Sequence, residues 1–308
     1  ALLVFHLGLD GVFYAWTIAW SVSFLLSLAR VFKYLSFKMS LKRLSEMLTF
    51  SFPLFLNNVP ATLNQLLDRY IILFIIGLTA VGFYSASFAM ASLASFVPMV
   101  LQLAIWPMVY RSHKEPNAEK RVTELLKLFL HIFLYLILIS TIICKPTLTL
   151  FLGPKFLASS DVQLIAPILV LNVLIGGLKT FFPGMAISRK TQYVLKSTII
   201  SLVSNLILGI ILAFIAGIKG VAIALLISTL LKMGTYAWYS QKFFKLHIKK
   251  AEILKYSFIA TPTILLAYVA NFFLPALTLA GIAERVAFIC VAALTGVFFY
   301  VHNRKTSF

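Results

Sequence analysis

Nine apolar runs, each long enough to cross a lipid bilayer, constrain this chain more than any other feature. They cover about 11–29, 48–67, 82–110, 128–144, 162–183, 197–216, 221–241, 256–273 and 286–301. A spanning helix needs about 20 mostly apolar residues. Hydrocarbon offers no water to pair a free backbone group, so a chain inside it must form helices or a closed barrel. A barrel would show short segments of alternating hydrophobicity, whereas these runs are long and continuous. The expected fold class is therefore an all-α polytopic membrane protein. Composition agrees: 61% of residues are hydrophobic and 12% charged, against about 45–50% and about 25% in soluble domains.

Charge tests the count of helices. The chain has 27 Lys and Arg against nine Asp and Glu, a formal charge of +18. Segments 30–47, 111–127, 189–196, 242–255 and 302–308 hold 20 of the 27 basic residues. The intervening loops hold Arg69, Lys145, Lys155, Lys219 and Arg285, and Lys179 and Lys232 fall inside predicted spans. By the positive-inside rule the first set is cytoplasmic, and the C-terminus with it. The basic excess is thus assigned to orientation and to anionic lipid, with no nucleic-acid partner expected. The expected location is the cytoplasmic (inner) membrane.

The chain starts at Ala1 without Met or a basic signal region, which predicts a fragment of a longer protein. Gly8-Leu-Asp-Gly11-Val12-Phe-Tyr-Ala15 matches Gly217-Ile-Lys-Gly220-Val221-Ala-Ile-Ala224 at an offset of 209 residues. The second copy opens the seventh span, six helices after the first, which fits two parallel repeats of six helices. The expected organisation is residues 1–29 as the last helix of an N-terminal lobe and 30–47 as a cytoplasmic linker. Residues 48–243 then form a six-helix C-terminal lobe, and 244–308 two appended helices with a cytoplasmic tail. About 170 residues with five further helices would precede them.

Polar groups inside the spans are the candidates for function. Asn57, Asn58, Ala61, Asn64, Gln65 and Asp68 fall on one arc of the helix that starts near Leu48. That segment, 48–76, is too long for a straight crossing, so it is expected to tilt, break or kink, with Pro53 and Pro60 as the means. The stripe reads either as glue between helices or as the wall of a wet cavity. Asp68-Arg69-Tyr70 has a plainer reading as an acid–base pair fixing a helix end. Lys232 lies ten residues before Lys242, about 15 Å along the helix, too deep for its side chain to reach the surface. It requires a partner acid, a water-filled cavity or an anionic ligand. Lys179 is shallower, beside Pro183-Gly184, and snorkelling would also account for it. If both lysines face one cavity, the implied ligand is anionic, with phosphate leading. His131 reads as structural. The Ser/Ala-rich run 85–95 suits close helix packing, and between bundles in particular.

Cys144 and Cys290 sit in apolar runs without ligand spacing, so no metal or cofactor is expected. There is no GxSxG, HExxH, Walker or GxGxxG motif. No catalytic residue is assigned and the chain is not expected to be an enzyme. Short outer loops disfavour a membrane glycan polymerase or ligase.

Leu48-Thr-Phe-Ser-Phe-Pro53-Leu, Leu67-Asp68-Arg69-Tyr70-Ile-Ile, Gly77-Leu-Thr-Ala-Val81-Gly82-Phe-Tyr84-Ser85 and Trp106-Pro107 together resemble the second lobe of the polysaccharide (O-antigen type) flippases. These belong to the superfamily of multidrug, oligosaccharidyl-lipid and polysaccharide exporters. Phe151-Leu-Gly153-Pro-Lys-Phe156, Asn205 and the Gly217–Ala224 segment are similar to the same family's later helices. The resemblance covers about residues 1–243. It implies a bundle of 12 or 14 helices that moves a polyprenyl-pyrophosphate-linked oligosaccharide to the outer leaflet by alternating access, for lipopolysaccharide or other cell-surface polysaccharide. On that reading Lys232, Lys179 and Arg69 engage the pyrophosphate. Asn57, Asn64 and Gln65 bond sugar hydroxyls, and Asp68 is the candidate for ion coupling. A cation-coupled drug extruder of the same superfamily is the alternative.

Overall fold

The computed structural model describes residues 8–32, 40–112, 119–130, 133, 160–188, 190 and 192–246. Among them every element is helical. The chain forms two compact units, Ala1–Ser51 and Phe52–Phe308. The runs 256–273 and 286–301, most of 128–144, Cys144, Cys290, His131 and the C-terminal tail lie outside the described residues.

In the first unit α1 runs over Gly8–Val31. Its large apolar side chains face outward: Phe13, Trp16, Trp20 and Phe24 are all exposed. Thr17 Oγ1 donates to the Phe13 carbonyl at 2.8 Å, so its hydroxyl needs no water. α2, Leu41–Ile75, starts in this unit and continues into the second.

The second unit then comprises α3 (Leu78–Ser92), a 3-10 turn at Leu93–Ser95, α4 (Phe96–Ser112) and α5 (119–130). α6 (Ser160–Gly177) is extended by a 3-10 turn at Leu178–Phe181, and α7 covers Gln192–Gln241. Three helical stretches among the described residues are long and apolar enough to cross a membrane: Phe13–Val31, Leu78–Arg111 and Gln192–Gln241. They coincide with the expected runs 11–29 and 82–110 and with the pair 197–216 and 221–241. The expected run 162–183 is α6 with its 3-10 turn.

The burial pattern is that of a protein solvated by lipid. Phe74, Leu78, Phe214, Ile215 and Trp238 lie on the outside. Ser87, Ser197, Ser201, Asn205 and Ser228 are fully buried. A soluble monomer rarely leaves apolar patches of that extent open, while membrane bundles place small and polar residues between helices. The described residues are those of an all-helical membrane protein.

α7 is two helices folded back on each other. Gly217 has φ 60° and ψ −138° in mid-sequence, a conformation that a side chain strongly disfavours. The rings of Tyr193 and Tyr239 then meet at 4.7 Å, so the two legs run antiparallel about Gly217. At the far end from that turn lies a basic and aromatic belt. Lys242 Nζ sits 3.8 Å from the Trp238 ring centre, and Lys190 Nζ is 5.0 Å from that of Phe243. Such belts form where a helix leaves hydrocarbon.

Small residues set how closely the helices approach. On the first leg of α7, Ser197, Ser201, Asn205, Gly209 and Ala213 repeat every fourth position and are all buried; Asn205 and Gly209 from this stripe meet α2. On α3, Ala80, Tyr84, Ser87 and Ala91 form the buried stripe, and α3 packs on α6. The Ser/Ala-rich run thus closes helices within one bundle. Gly177 ends α6 against the Pro98 ring of α4, where a Cβ would collide with Pro98 Cβ.

Of the three expected ways to fit 48–76, tilt, break or kink, α2 excludes the break, since it stays helical through both Pro53 and Pro60. At Pro60, which is buried, neighbouring helices accommodate the lost backbone donor.

Candidate functional site

Helical periodicity places residues of five helices, α2, α3 (through Phe88), α4, α6 and α7, around a cavity of about 650 Å³ in the second unit. From α2 come Asn58, Ala61, Asn64, Gln65 and Asp68. This is the predicted polar stripe, and it lines space. From α4 come Pro98, Gln102 and Trp106, and from α6 with its 3-10 turn Asn172, Gly176, Lys179 and Thr180. The first leg of α7 adds Thr198, and the second adds Thr229, Lys232 and Tyr236.

Lys179 and Lys232, 53 positions apart in the chain, therefore share one cavity. Each ammonium lies within Coulombic range of the other. Lys232 is half-buried and Lys179 exposed to the cavity. Neither ammonium has a hydrogen-bond or ion-pair partner among the described residues.

The carboxylate in the same wall does not neutralise them. Asp68 is 2% exposed. Its Oδ1 accepts from Asn205 Nδ2 at 2.7 Å, and its Oδ2 accepts from the Tyr84 hydroxyl at 2.8 Å. Asn205 Nδ2 also reaches Asn64 Oδ1 at 3.2 Å. α2, α3 and α7 are thus tied by one buried polar node with neutral donors on both carboxylate oxygens. Such a node holds its acid in place without cancelling charge elsewhere.

Arg69 turns away from its neighbour. Its Nε donates to Ser85 Oγ at 3.3 Å, its Nη1 to the Gln65 carbonyl at 3.2 Å, and its guanidinium lies 5.3 Å from the Phe88 ring centre. Asp68 and Arg69, expected as an acid–base pair fixing a helix end, hold separate hydrogen-bond partners while staying within Coulombic range of each other. The structure brings Lys179, Lys232, Asn64, Gln65 and Asp68 to the cavity and leaves Arg69 off its wall. The side chain of Asn57 lies outside the described ones. Among the described residues no cluster of His, Cys, Asp or Glu could hold a metal ion.

Several residues of the site escaped the sequence reading. Asn172 is a lone polar residue in an apolar run, and Thr180 and Tyr236 each follow another polar residue, Lys179 and Thr235. Trp106 and Asn205 entered only through the resemblance. Spacing offered one signal: Tyr236 follows Lys232 by one turn, and Trp106 follows Gln102 by one turn, so each pair shares a face.

Neither curated proteins nor solved structures give a match to this chain. The family described as polysaccharide biosynthesis protein matches residues 4–161, which include the polar stripe, Tyr84 and Trp106 and end before Lys179. That match covers half of the sequence, and the chain belongs to the polysaccharide biosynthesis protein family.

Proposed function

We propose that the chain is part of a flippase that carries polyprenyl-pyrophosphate-linked oligosaccharide across the cytoplasmic membrane by alternating access. No covalent step is involved. The observation that supports this most is the pair of lysines in one polar cavity whose described carboxylate, Asp68, is already engaged. An ammonium at bilayer depth costs several kcal/mol, and its retention calls for a compensating contact. A pyrophosphate passing through the cavity supplies one, because charge-assisted contacts are about twice as strong as neutral ones. Gln65 and Asn64, with Asn57 beyond them on the same stripe, offer amides to sugar hydroxyls. Arg69, on the outer side in this reading, meets the pyrophosphate only when the cavity opens that way. The partners are the lipid-linked glycan and the anionic lipid around the basic belt. The C-terminus lies in the cytoplasm, and residues 48–243 form one lobe of two.

Asp68 supports coupling to an ion. It is the carboxylate in the cavity wall, and a proton or monovalent cation arriving there would compete with Tyr84 and Asn205 for its oxygens. The same node favours the second reading, a cation-coupled drug extruder, whose cargo would be cationic. The two lysines repel such a cargo, which ranks it second.

Export of surface glycan by cells carrying Lys232→Ala tests the reading. Loss of export with normal protein level is the expected result. Undiminished export removes Lys232 from the mechanism, and export of cationic dyes in its place supports the extruder.

A further inference from the structure

Part of the cavity wall carries polar atoms that nothing among the described residues pairs. Trp106 Nε1, Asn172 Oδ1 and Thr180 Oγ1 are buried and make no hydrogen bond among the described residues. All three residues line the cavity that holds Lys179 and Lys232. A buried polar atom without a partner costs about 1–3 kcal/mol, so native proteins keep few of them, and each calls for a missing partner.

The chemistry of the three atoms narrows that partner. The indole N–H only donates, the amide oxygen only accepts, and the hydroxyl does both. A second phosphate is all acceptor, so with the amide oriented as it stands it would pair the indole and the hydroxyl and leave Asn172 Oδ1 without a donor. A polyprenyl tail would satisfy none of the three. A group rich in hydroxyls satisfies all of them.

The surface beside these atoms is aromatic. The rings of Trp106 and Tyr110 lie 5.5 Å apart. Tyr110 is within electrostatic range of Tyr236, which is one turn from Lys232 on the same face of α7. The Trp106 ring in the cavity wall, with a few donors and acceptors beside it, matches a sugar ring, whose faces are C–H and whose rim is hydroxyl.

We propose that Trp106, Asn172 and Thr180 form a saccharide subsite next to the two lysines, which takes the sugar attached directly to the pyrophosphate. The proposal rests on the reading of Lys179 and Lys232 as the phosphate pole. It differs in placing sugar recognition on α4 and α6, across from the amide stripe of α2, where Asn64 Oδ1 is already engaged with Asn205. The cavity volume of about 650 Å³ lies within the usual range for a small-molecule site, about 300–1,000 Å³. It suits a head group and its first sugar, with the remaining glycan outside.

The test is binding to the full chain in lipid nanodiscs, with farnesyl pyrophosphate as the sugarless probe. The sugar-bearing probes are farnesyl pyrophosphate carrying one hexose, one N-acetylhexosamine or one 6-deoxyhexose. At least one of them should bind about tenfold tighter than the sugarless probe. Trp106→Leu and Asn172→Leu should each remove that margin while leaving the sugarless affinity within about twofold. Thr180→Val, an isosteric change, should reduce the margin as well and guards against a folding defect in the other two. The proposal is overturned if no sugar improves binding, or if the margin survives all three substitutions. Lys232→Ala should weaken every probe; if it weakens none while the margin persists, the phosphate pole is wrong and the saccharide subsite stands.

Discussion

Replacing Lys232 with Met should make the empty protein more stable and the liganded protein less so. Lys232 is half-buried, its ammonium has no acceptor among the described residues, and it shares its cavity with the Lys179 ammonium. The oxygens of Asp68, which lines the same cavity, are occupied by Tyr84 and Asn205. An unpaired Lys at the middle of a spanning helix costs about 2.5–3.5 kcal/mol. The polar cavity offsets part of this, so about 1 kcal/mol remains for Met, a flexible side chain of similar length, to recover. A gain of that size raises the melting temperature by roughly 1.5 °C for a chain of this length. Inorganic pyrophosphate at about 100 times its dissociation constant should stabilise the parent by about 2.7 kcal/mol and Lys232→Met far less. Both effects are read from tryptophan-fluorescence melts in nanodiscs, with and without pyrophosphate. A variant that melts below the parent would show that the ammonium already had a partner. Equal stabilisation of the two proteins by pyrophosphate would show that Lys232 does not meet the anion. Either result refutes the reasoning.

Other perturbations address the frame of the site. Asn205→Leu leaves Asp68 Oδ1 without its donor and should cost about 1–3 kcal/mol; Tyr84→Phe should cost a similar amount, and a double-mutant cycle between either residue and Asp68 should show coupling. Independent, additive effects in thermal melts would dissolve the node. Gly217→Ala forces a side chain into a positive-φ conformation and should destabilise by about 1–3 kcal/mol. The neighbouring control, Ala216→Gly, should cost at most about 1 kcal/mol, and equal losses at the two positions would remove the conformational argument for Gly217. Gly177→Ala drives a Cβ into the Pro98 ring and should cost about 1–3 kcal/mol through overpacking; an unchanged melting temperature would mean that α4 and α6 do not cross there so closely.

Much of this architecture is legible in the sequence because lipid leaves few options. Apolar length places α1, α3 with α4, α6 and both legs of α7, and the Gly217-Ile-Lys-Gly220 step marks where α7 reverses. The depth of Lys232 is also legible, since ten residues of helix separate it from Lys242. Pro53 and Pro60 leave the choice among tilt, break and kink open for a physical reason. A proline removes one local hydrogen bond, and whether the helix breaks there depends on packing that a single sequence does not display. The node around Asp68 is hidden differently: Asn205 is 137 positions away, and nothing local says which amide of a polar stripe meets which acid. Trp106, Asn172 and Thr180 look like ordinary interhelical residues until their unpaired atoms are seen on one cavity wall.

Cysteine accessibility at positions 179 and 232 tests the central claim most directly, that the two ammonium groups share a water-filled, anion-binding cavity. With Cys144 and Cys290 replaced by Ala, Lys179→Cys, Lys232→Cys and, as a control on an outward-facing position, Leu230→Cys are exposed in membranes to a charged, membrane-impermeant thiol reagent. The account predicts rapid labelling at 179 and 232, protection of each by farnesyl pyrophosphate at a concentration high enough to bind through the one lysine that remains, and little reaction at 230. Labelling at 230 with none at 179 and 232, or labelling at 179 and 232 that farnesyl pyrophosphate leaves unchanged, would contradict it.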